Sequence, residues 1–207
     1  EEKLGKAVPY WICGVGWKRD YNCKQWPIEY WEQVFDSLPD VTFVKVGVGN
    51  DRWHVQPEIK RPNLIDMVGR TDLRQLIRLT YNSFGVLSYV SLPMMLGYAI
   101  PPHPRFNRKS RALITIAGGR EPSHWQMASN HQYLHTCGQL SCCDMGGCWT
   151  SRCYPEGDGD EKDTRNLCMF PTTMPSGQIV PKCMTMISPE LVSMHVKNYM
   201  DNLDYKV

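Results

Sequence analysis

Ala112-Leu113-Ile114-Thr115-Ile116-Ala117-Gly118-Gly119 reads as a strand with no solvent side. Its residues are apolar at odd and even positions alike, apart from one Thr, which suits a strand covered on both faces of a parallel sheet. The glycine pair ends it at the carboxyl side, where open parallel sheets receive ligands. Similar segments recur upstream: Val86-Leu87-Ser88-Tyr89-Val90, Leu64-Ile65-Asp66-Met67-Val68, Val41-Thr42-Phe43-Val44-Lys45-Val46-Gly47 and Tyr10-Trp11-Ile12-Cys13-Gly14-Val15. Downstream, Gln132-Tyr133-Leu134-His135 is the sixth expected strand.

Helical patterns fill the gaps. Trp26-Pro27 opens one with proline at the first turn, and Ile28, Trp31, Val34, Phe35 and Leu38 then share a face. Thr71 is the expected cap of a second, with Leu73, Leu76, Ile77 and Tyr81 spaced for one stripe. A short helix follows from about Leu92 to Ala99. Ser188-Pro189-Glu190 starts the last, which places Val192, Val196, Tyr199, Met200 and Leu203 together. The alternation predicts an α/β chain. Residues 1–136 form a Rossmann-like, doubly wound, mostly parallel sheet; 137–187 are a cysteine-rich irregular appendix; 188–207 are a C-terminal helix packed on the core.

The chain has 207 residues, 42% of them apolar and 21% charged, with 23 Lys+Arg against 21 Asp+Glu for a net charge of +2. That length can bury a sizeable core, and the balance is too neutral for a main partner that is nucleic acid or an anionic membrane. Seven Trp, ten Tyr and five Phe argue against disorder. The uncharged stretch from Leu79 to about Pro104 is interrupted by Asn82, Gly85, Pro93, Gly97 and Pro101-Pro102, so it reads as a buried strand and a short helix, not a transmembrane segment. Glu1 to Lys6 is charged and leads into Pro9-Tyr10-Trp11-Ile12 without the apolar run of a signal peptide. A soluble, cytoplasmic protein is expected, with its thiols reduced or metal-bound.

Four loops follow strands and precede helices: Gly14-Val15-Gly16-Trp17-Lys18, Gly47-Val48-Gly49-Asn50-Asp51, Ser88 to Pro93, and Gly118-Gly119-Arg120-Glu121. Glycine admits a phosphate close to the backbone, and free N–H groups at a helix start suit an anion. Neither a P-loop nor a full G-x-G-x-x-G is present, so tight turns explain these glycines as well as a nucleotide does. Lys18, Arg19 and Lys24 can meet a diphosphate, or simply face solvent.

Lys24-Gln25-Trp26-Pro27 before a helix, Gly-Arg-Thr-Asp-Leu-Arg at 69–74, and Ser-x-Pro-Met at 91–94 before a short helix together resemble the C-terminal half of the bacterial ADP-heptose heptosyltransferases. These are glycosyltransferase family 9 enzymes of GT-B architecture, and the resemblance spans roughly residues 10 to 136. It implies a donor-side domain binding a nucleotide-diphosphate sugar for transfer to a hydroxyl acceptor. Lys24 matches the K-x-W-P lysine near the donor phosphates. The family's D-T-G-x-x-H loop aligns with Val90-Ser91-Leu92-Pro93-Met94-Met95, where the Asp, Gly and His have become Val90, Leu92 and Met95. What remains is the Ser91 hydroxyl, Pro93, Met94 and the backbone up to Met95, with Gly16 and Gly118 expected to allow close approach. The resemblance also implies that the general base sits in an N-terminal GT-B domain, in the same or another chain. Transfer itself requires no cofactor, and this half is not expected to be active alone.

Seven of nine cysteines fall between 137 and 184. Thiolates across the Gly146-Gly147 turn, joined by later ones, can surround a tetrahedral metal and replace missing core. Disulfides and free buried thiols are the alternatives, since there is no C-x-x-C pair. Autotransporter heptosyltransferases are similar in having a four-cysteine iron-binding loop. The expected ligands of a structural Zn or Fe are Cys143, Cys148, Cys168 and Cys183, with Cys142 and Cys153 in reserve. Asp158-Gly159-Asp160-Glu161 lacks the pattern of a calcium loop and reads as a solvated turn. The rival to the transferase reading is a non-catalytic Rossmann-like module whose metal-stabilised cysteine loop serves assembly or partner binding; a cysteine-based redox enzyme is a third.

Overall fold

The computed structural model describes residues 8–128 and 131–202. In chain order these form β1 (Tyr10–Gly14), β2 (Trp17–Lys18), α1 (Ile28–Ser37), β3 (Thr42–Lys45), β4 (His54–Val55), β5 (Leu64–Asp66), α2 (Leu73–Asn82), β6 (Gly85–Tyr89), α3 (Leu92–Ala99), β7 (Ala112–Gly118), β8 (His131–His135), β9 (Pro171–Thr173), β10 (Ile179–Pro181), α4 (Lys182–Thr185) and α5 (Pro189–Asp201), with short 3₁₀ turns between them. Six strands make one sheet in the order β5-β3-β1-β6-β7-β8, and every pairing in it is parallel. β2 with β4, and β9 with β10, form two small antiparallel ribbons.

Strand burial is that of a sheet covered on both sides: every residue of β1 and of β6 is inaccessible. On one face α1 and α5 pack over Trp11, Phe43, Leu87 and Ile114. On the other, Leu76 of α2 and Met94 of α3 meet Ile12, Val44, Val86 and Leu113. Burying so many large apolar side chains is the main stabilising term, at roughly 2 kcal/mol each. Gly97 lets α3 approach closely, because a Cβ there would lie 2.9 Å from Val86 Cγ2.

Local starts differ from expectation at two helices. Pro27 stands just before α1, not within it. α2 is capped by Asp72, not Thr71: the Asp72 carboxylate accepts from the Gln75 backbone N–H at 2.7 Å, and the Asp72 N–H donates to Gln75 Oε1 at 2.8 Å. The stripe expected on α2 is only partly buried, with Leu76 inside and Leu73 and Ile77 largely outside. In α5, Val192 and Val196 are buried as the period requires, while Leu203 lies outside the described residues.

The cysteine-rich segment carries more structure than its composition suggests. It includes β9, β10 and α4, and it is sewn to the loop after β2 by polar contacts. Arg152 is wholly buried and forks between Asp20 (2.8 Å), Asp158 (2.8 Å) and Asp163. Asn22 accepts from the Cys153 N–H at 2.6 Å and donates to Glu156 at 2.8 Å. The acidic run at 158–161 is thus in part a counter-charge for Arg152.

Candidate functional site

β1 and β6 are neighbours, yet the chain leaves them toward opposite edges of the sheet. A crevice therefore opens beyond their carboxyl ends, at the switch point where α/β sheets bind ligands. The cleft found there encloses about 690 Å³ and is walled by three of the four expected loops: Gly14, Gly16 and Lys18; Gly47 and Val48; and Val90 to Pro93. The starts of β2 and α2 complete it, with Trp17 and Leu73 on its sides.

Lys24 lies in this cleft because the chain before α1 is pinned to the end of β6. The buried Tyr89 hydroxyl accepts from the Trp26 N–H at 3.1 Å and from Trp31 Nε1–H at 2.8 Å. Burial pushes the Tyr89 phenol far above its ordinary pKa, so it stays a neutral anchor. From there Lys24 Nζ donates to the Val90 carbonyl at 3.4 Å and pairs with Glu121 at 3.2 Å. Glu121 also pairs with Arg120, and the Lys24 and Arg120 cations both lie near the Tyr21 ring. The loop at 118–121 thus acts on the cleft through Glu121, by setting the charge around Lys24.

At the far wall α3 points its first turn into the opening. Met95 N–H is taken by the Ser91 carbonyl and Pro93 has none, so the N–H groups of Leu92 and Met94 remain outside the helix ladder. Ser91 Oγ donates to the Tyr89 carbonyl at 3.2 Å. Met94 is buried beneath α3 and Met95 faces outward, so of this pair only the backbone can serve a ligand in the cleft. Pro93 packs on Gly14, where a Cβ would come within 3.2 Å of it.

Gly16 works differently from expectation. A Cβ on Gly16, or on Gly47, would lie 2.3 Å from Gln56, so both glycines make room for that side chain. Gln56 Oε1 is enclosed without a hydrogen-bond partner. Nothing in the sequence around Gln56 marks it, since it follows a loop with no period and reaches the cleft only through the β2–β4 ribbon. That ribbon also brings His54, whose Nδ1 is 3.0 Å from Asp51 Oδ1. Gly118 lies away from the cleft: with φ +61 it packs against Met184, whose Sδ would be 2.6 Å from a Cβ.

The thiols gather at the junction of β7, β10 and α4. Cys23, Cys142, Cys148, Cys168 and Cys183 line one enclosed cavity of about 20 Å³. Cys143, expected among the ligands, turns away and donates to the Thr136 and Leu140 carbonyls at 3.5 and 3.4 Å. Cys142 takes its place in the lining, while Cys153 hydrogen bonds to Cys168. Burial pushes the Cys23 and Cys183 thiols up to about 12, whereas the Cys153 contact lowers Cys168 to about 7. Tested as a metal site, the donor set is chemically right, being thiol-only and enclosed. The spacing is not: among the described residues no three ligating side chains stand close enough to hold an ion. No disulfide forms among them either.

No family model matches the sequence, and no curated protein matches it. Solved structures do match the fold. The bacterial iron-containing dodecameric glycosyltransferase TibC from enterotoxigenic E. coli H10407 is similar with a TM-score of 0.55 and 14% identity, over 97% of this chain and 48% of that one. The dodecameric iron-containing heptosyltransferase TibC in complex with ADP-D-β-D-heptose gives 0.55 and 15%, over 93% and 45%. E. coli ADP-heptose LPS heptosyltransferase II also matches, at 0.49 and 10% over 96% and 49%. The chain spans about half the length of the structures it matches, and at these identities the likeness is one of fold.

Proposed function

We propose that the chain is the donor-side, C-terminal half of a glycosyltransferase that binds a nucleotide-diphosphate sugar of the ADP-heptose kind. The carrying observation is the cleft at the sheet's switch point, where Lys24 and the first turn of α3 face one opening. Sugar transfer to a hydroxyl needs fixed positive groups for the leaving diphosphate and a base for the acceptor. Lys24, Lys18 and the Leu92 and Met94 N–H groups supply the first. The cleft's own carboxylate, Asp72, is engaged in capping α2, which supports a base contributed by an N-terminal Rossmann-like half in the same or another chain. The domain then holds the donor and does not transfer it unaided. TibC has been solved with ADP-D-β-D-heptose, and its fold shared with this chain makes ADP the first ligand to try.

Adding ADP at about a hundred times its Kd raises the melting temperature by roughly 5–10 °C. Lys24→Ala abolishes the shift while leaving the ligand-free melt in place. Absence of any shift with ADP, UDP or GDP overturns the donor reading in favour of the non-catalytic module, which the apolar Val90, Leu92 and Met95 would suit. We further propose that Cys142, Cys148, Cys168 and Cys183 draw together around a structural Zn or Fe. The shared cavity and the thiol-only donor set support this.

A further inference from the structure

A second groove, of about 470 Å³, runs beside α2 and shares only Thr71 with the cleft. Its apolar lining includes Tyr10, Met67 and Leu79, and the Tyr10 hydroxyl donates to the Leu79 carbonyl at 2.8 Å. Its charged residues are Arg70, Arg78 and Arg105, and among the described residues no carboxylate lines it. The three are strung out along the helix. Arg70 precedes α2, Arg78 stands in its middle, and Arg105 donates to the carbonyl of Asn82, its last residue.

Other arginines also lack a carboxylate partner, but they are engaged elsewhere. Arg52 lies over the Trp53 ring at 4.7 Å, and Arg108 over Phe84 and Tyr199 at 5.3 and 5.2 Å. Arg111 is buried among the Ser83, Ile100 and Pro101 carbonyls. Arg70 and Arg78 make no ion pair, side-chain hydrogen bond or ring contact among the described residues. Arg74, on the same helix, is equally unengaged but does not line the groove. Arg105 is fixed by the Phe106 ring at 4.7 Å and by Asn82, yet its Nε is enclosed without a partner. Three guanidinium groups lining one groove repel one another, and an anion placed among them reverses that term.

We propose that this groove binds a small, extended anion carrying several phosphate groups, independently of the donor cleft. The ten residues of α2 rise roughly 15 Å, and one phosphate cannot meet cations spread along that length. Phosphates in series, or set around one ring, can. Guanidinium forks take phosphate oxygens in pairs, and the carboxylate-free lining leaves nothing to repel the ligand. A net charge of +2 on the chain does not suit a nucleic acid as the occupant.

Titration calorimetry with inorganic tripolyphosphate, inositol hexakisphosphate and monophosphate tests this. The polyphosphates bind, monophosphate at matched phosphate concentration does not, and about 0.5 M NaCl weakens binding. Tighter binding of tripolyphosphate identifies a linear chain as the ligand; tighter binding of the inositol compound identifies phosphates borne on a ring. Arg70→Gln and Arg78→Gln each lower the affinity roughly tenfold. Arg74→Gln removes the same charge from the same helix outside the groove and leaves the affinity unchanged. Lys24→Ala also leaves it unchanged, which separates this groove from the donor cleft whether or not ADP binds there. Arg70, Arg74 and Arg78 are exposed, so their variants melt like the native protein, and that melt is the folding control. Absence of polyphosphate binding, an equal response to monophosphate, or a loss in Arg74→Gln as large as in Arg78→Gln each overturns the proposal. Binding that survives in a folded Arg70→Gln/Arg78→Gln variant and vanishes in Lys24→Ala does the same and puts the anion in the cleft.

Discussion

Arg152 is the residue on which the cysteine-rich segment hangs. Its guanidinium is buried, and three carboxylates from two parts of the chain close around it. Asp158 is held down to about 2 by this contact, which also lowers Asp20, while Asp163 is lowered first by the Glu156 backbone N–H and then by Arg152. Removing one partner of such a cluster costs more than the cluster contributes net, because the remaining charges lose their compensation. Arg152→Met is expected to destabilise the fold by about 3 kcal/mol in urea titration, the low end of the buried-pair range because Asp158 and Asp20 still reach water. The three carboxylates stay ionised below the usual range, so their contribution is complete above their unfolded pKa near 4 and fades as pH falls toward 2. Nothing in the sequence singled out Arg152, since a lone arginine in an irregular segment looks like a solvated charge. Lys24 was legible, because Lys-Gln-Trp-Pro before a helix is a local pattern.

At the scale of the element, helix α2 separates what periodicity reports from what burial decides. Its apolar spacing marked a helix correctly. The same spacing implied one buried stripe, and only Leu76 lies deep. On this face of the sheet α2 packs beside α3, and Leu73 and Ile77 stay at the surface. Its start depends on a capping box that the adjacent Thr71 obscured. Asp72→Ala is expected to cost about 1 kcal/mol of stability, and Thr71→Ala less than about 0.5 kcal/mol, in paired thermal melts. Equal effects at the two positions would contradict the cap assignment. The β2–β4 and β9–β10 ribbons escaped the sequence reading because strands of two or three residues carry no measurable period.

For the whole molecule, the junction of the sheet with the cysteine-rich segment is where the metal proposal is decided. Gly118 and Gly119 end β7 against Met184, Cys183 and Cys143, so this buried strand and the thiols share one packing boundary. If a metal belongs there, elemental analysis of the purified chain finds about one Zn or Fe per molecule, and chelation lowers the melting temperature markedly. Cys143→Ser keeps the metal while Cys148→Ser or Cys183→Ser loses it, since Cys143 does not line the cavity and its thiol is bonded to the Thr136 and Leu140 carbonyls. A metal-free chain with nine reactive thiols after unfolding, and no response to chelation, sinks the metal assignment.

Runs of apolar residues, their spacing, and the glycines and prolines that punctuate them are local properties. From them the α/β class, the six parallel strands in sequence and the four main helices could be read directly, and with them the loops that meet at the switch point. Contacts between distant segments are not local. That Gly16 and Gly47 shelter Gln56, that Cys142 and not Cys143 lines the thiol cavity, and that Arg152 gathers three carboxylates follow from how the chain returns on itself. A residue's type limits which partners it can accept, but only close packing in three dimensions brings one partner within reach and excludes the others.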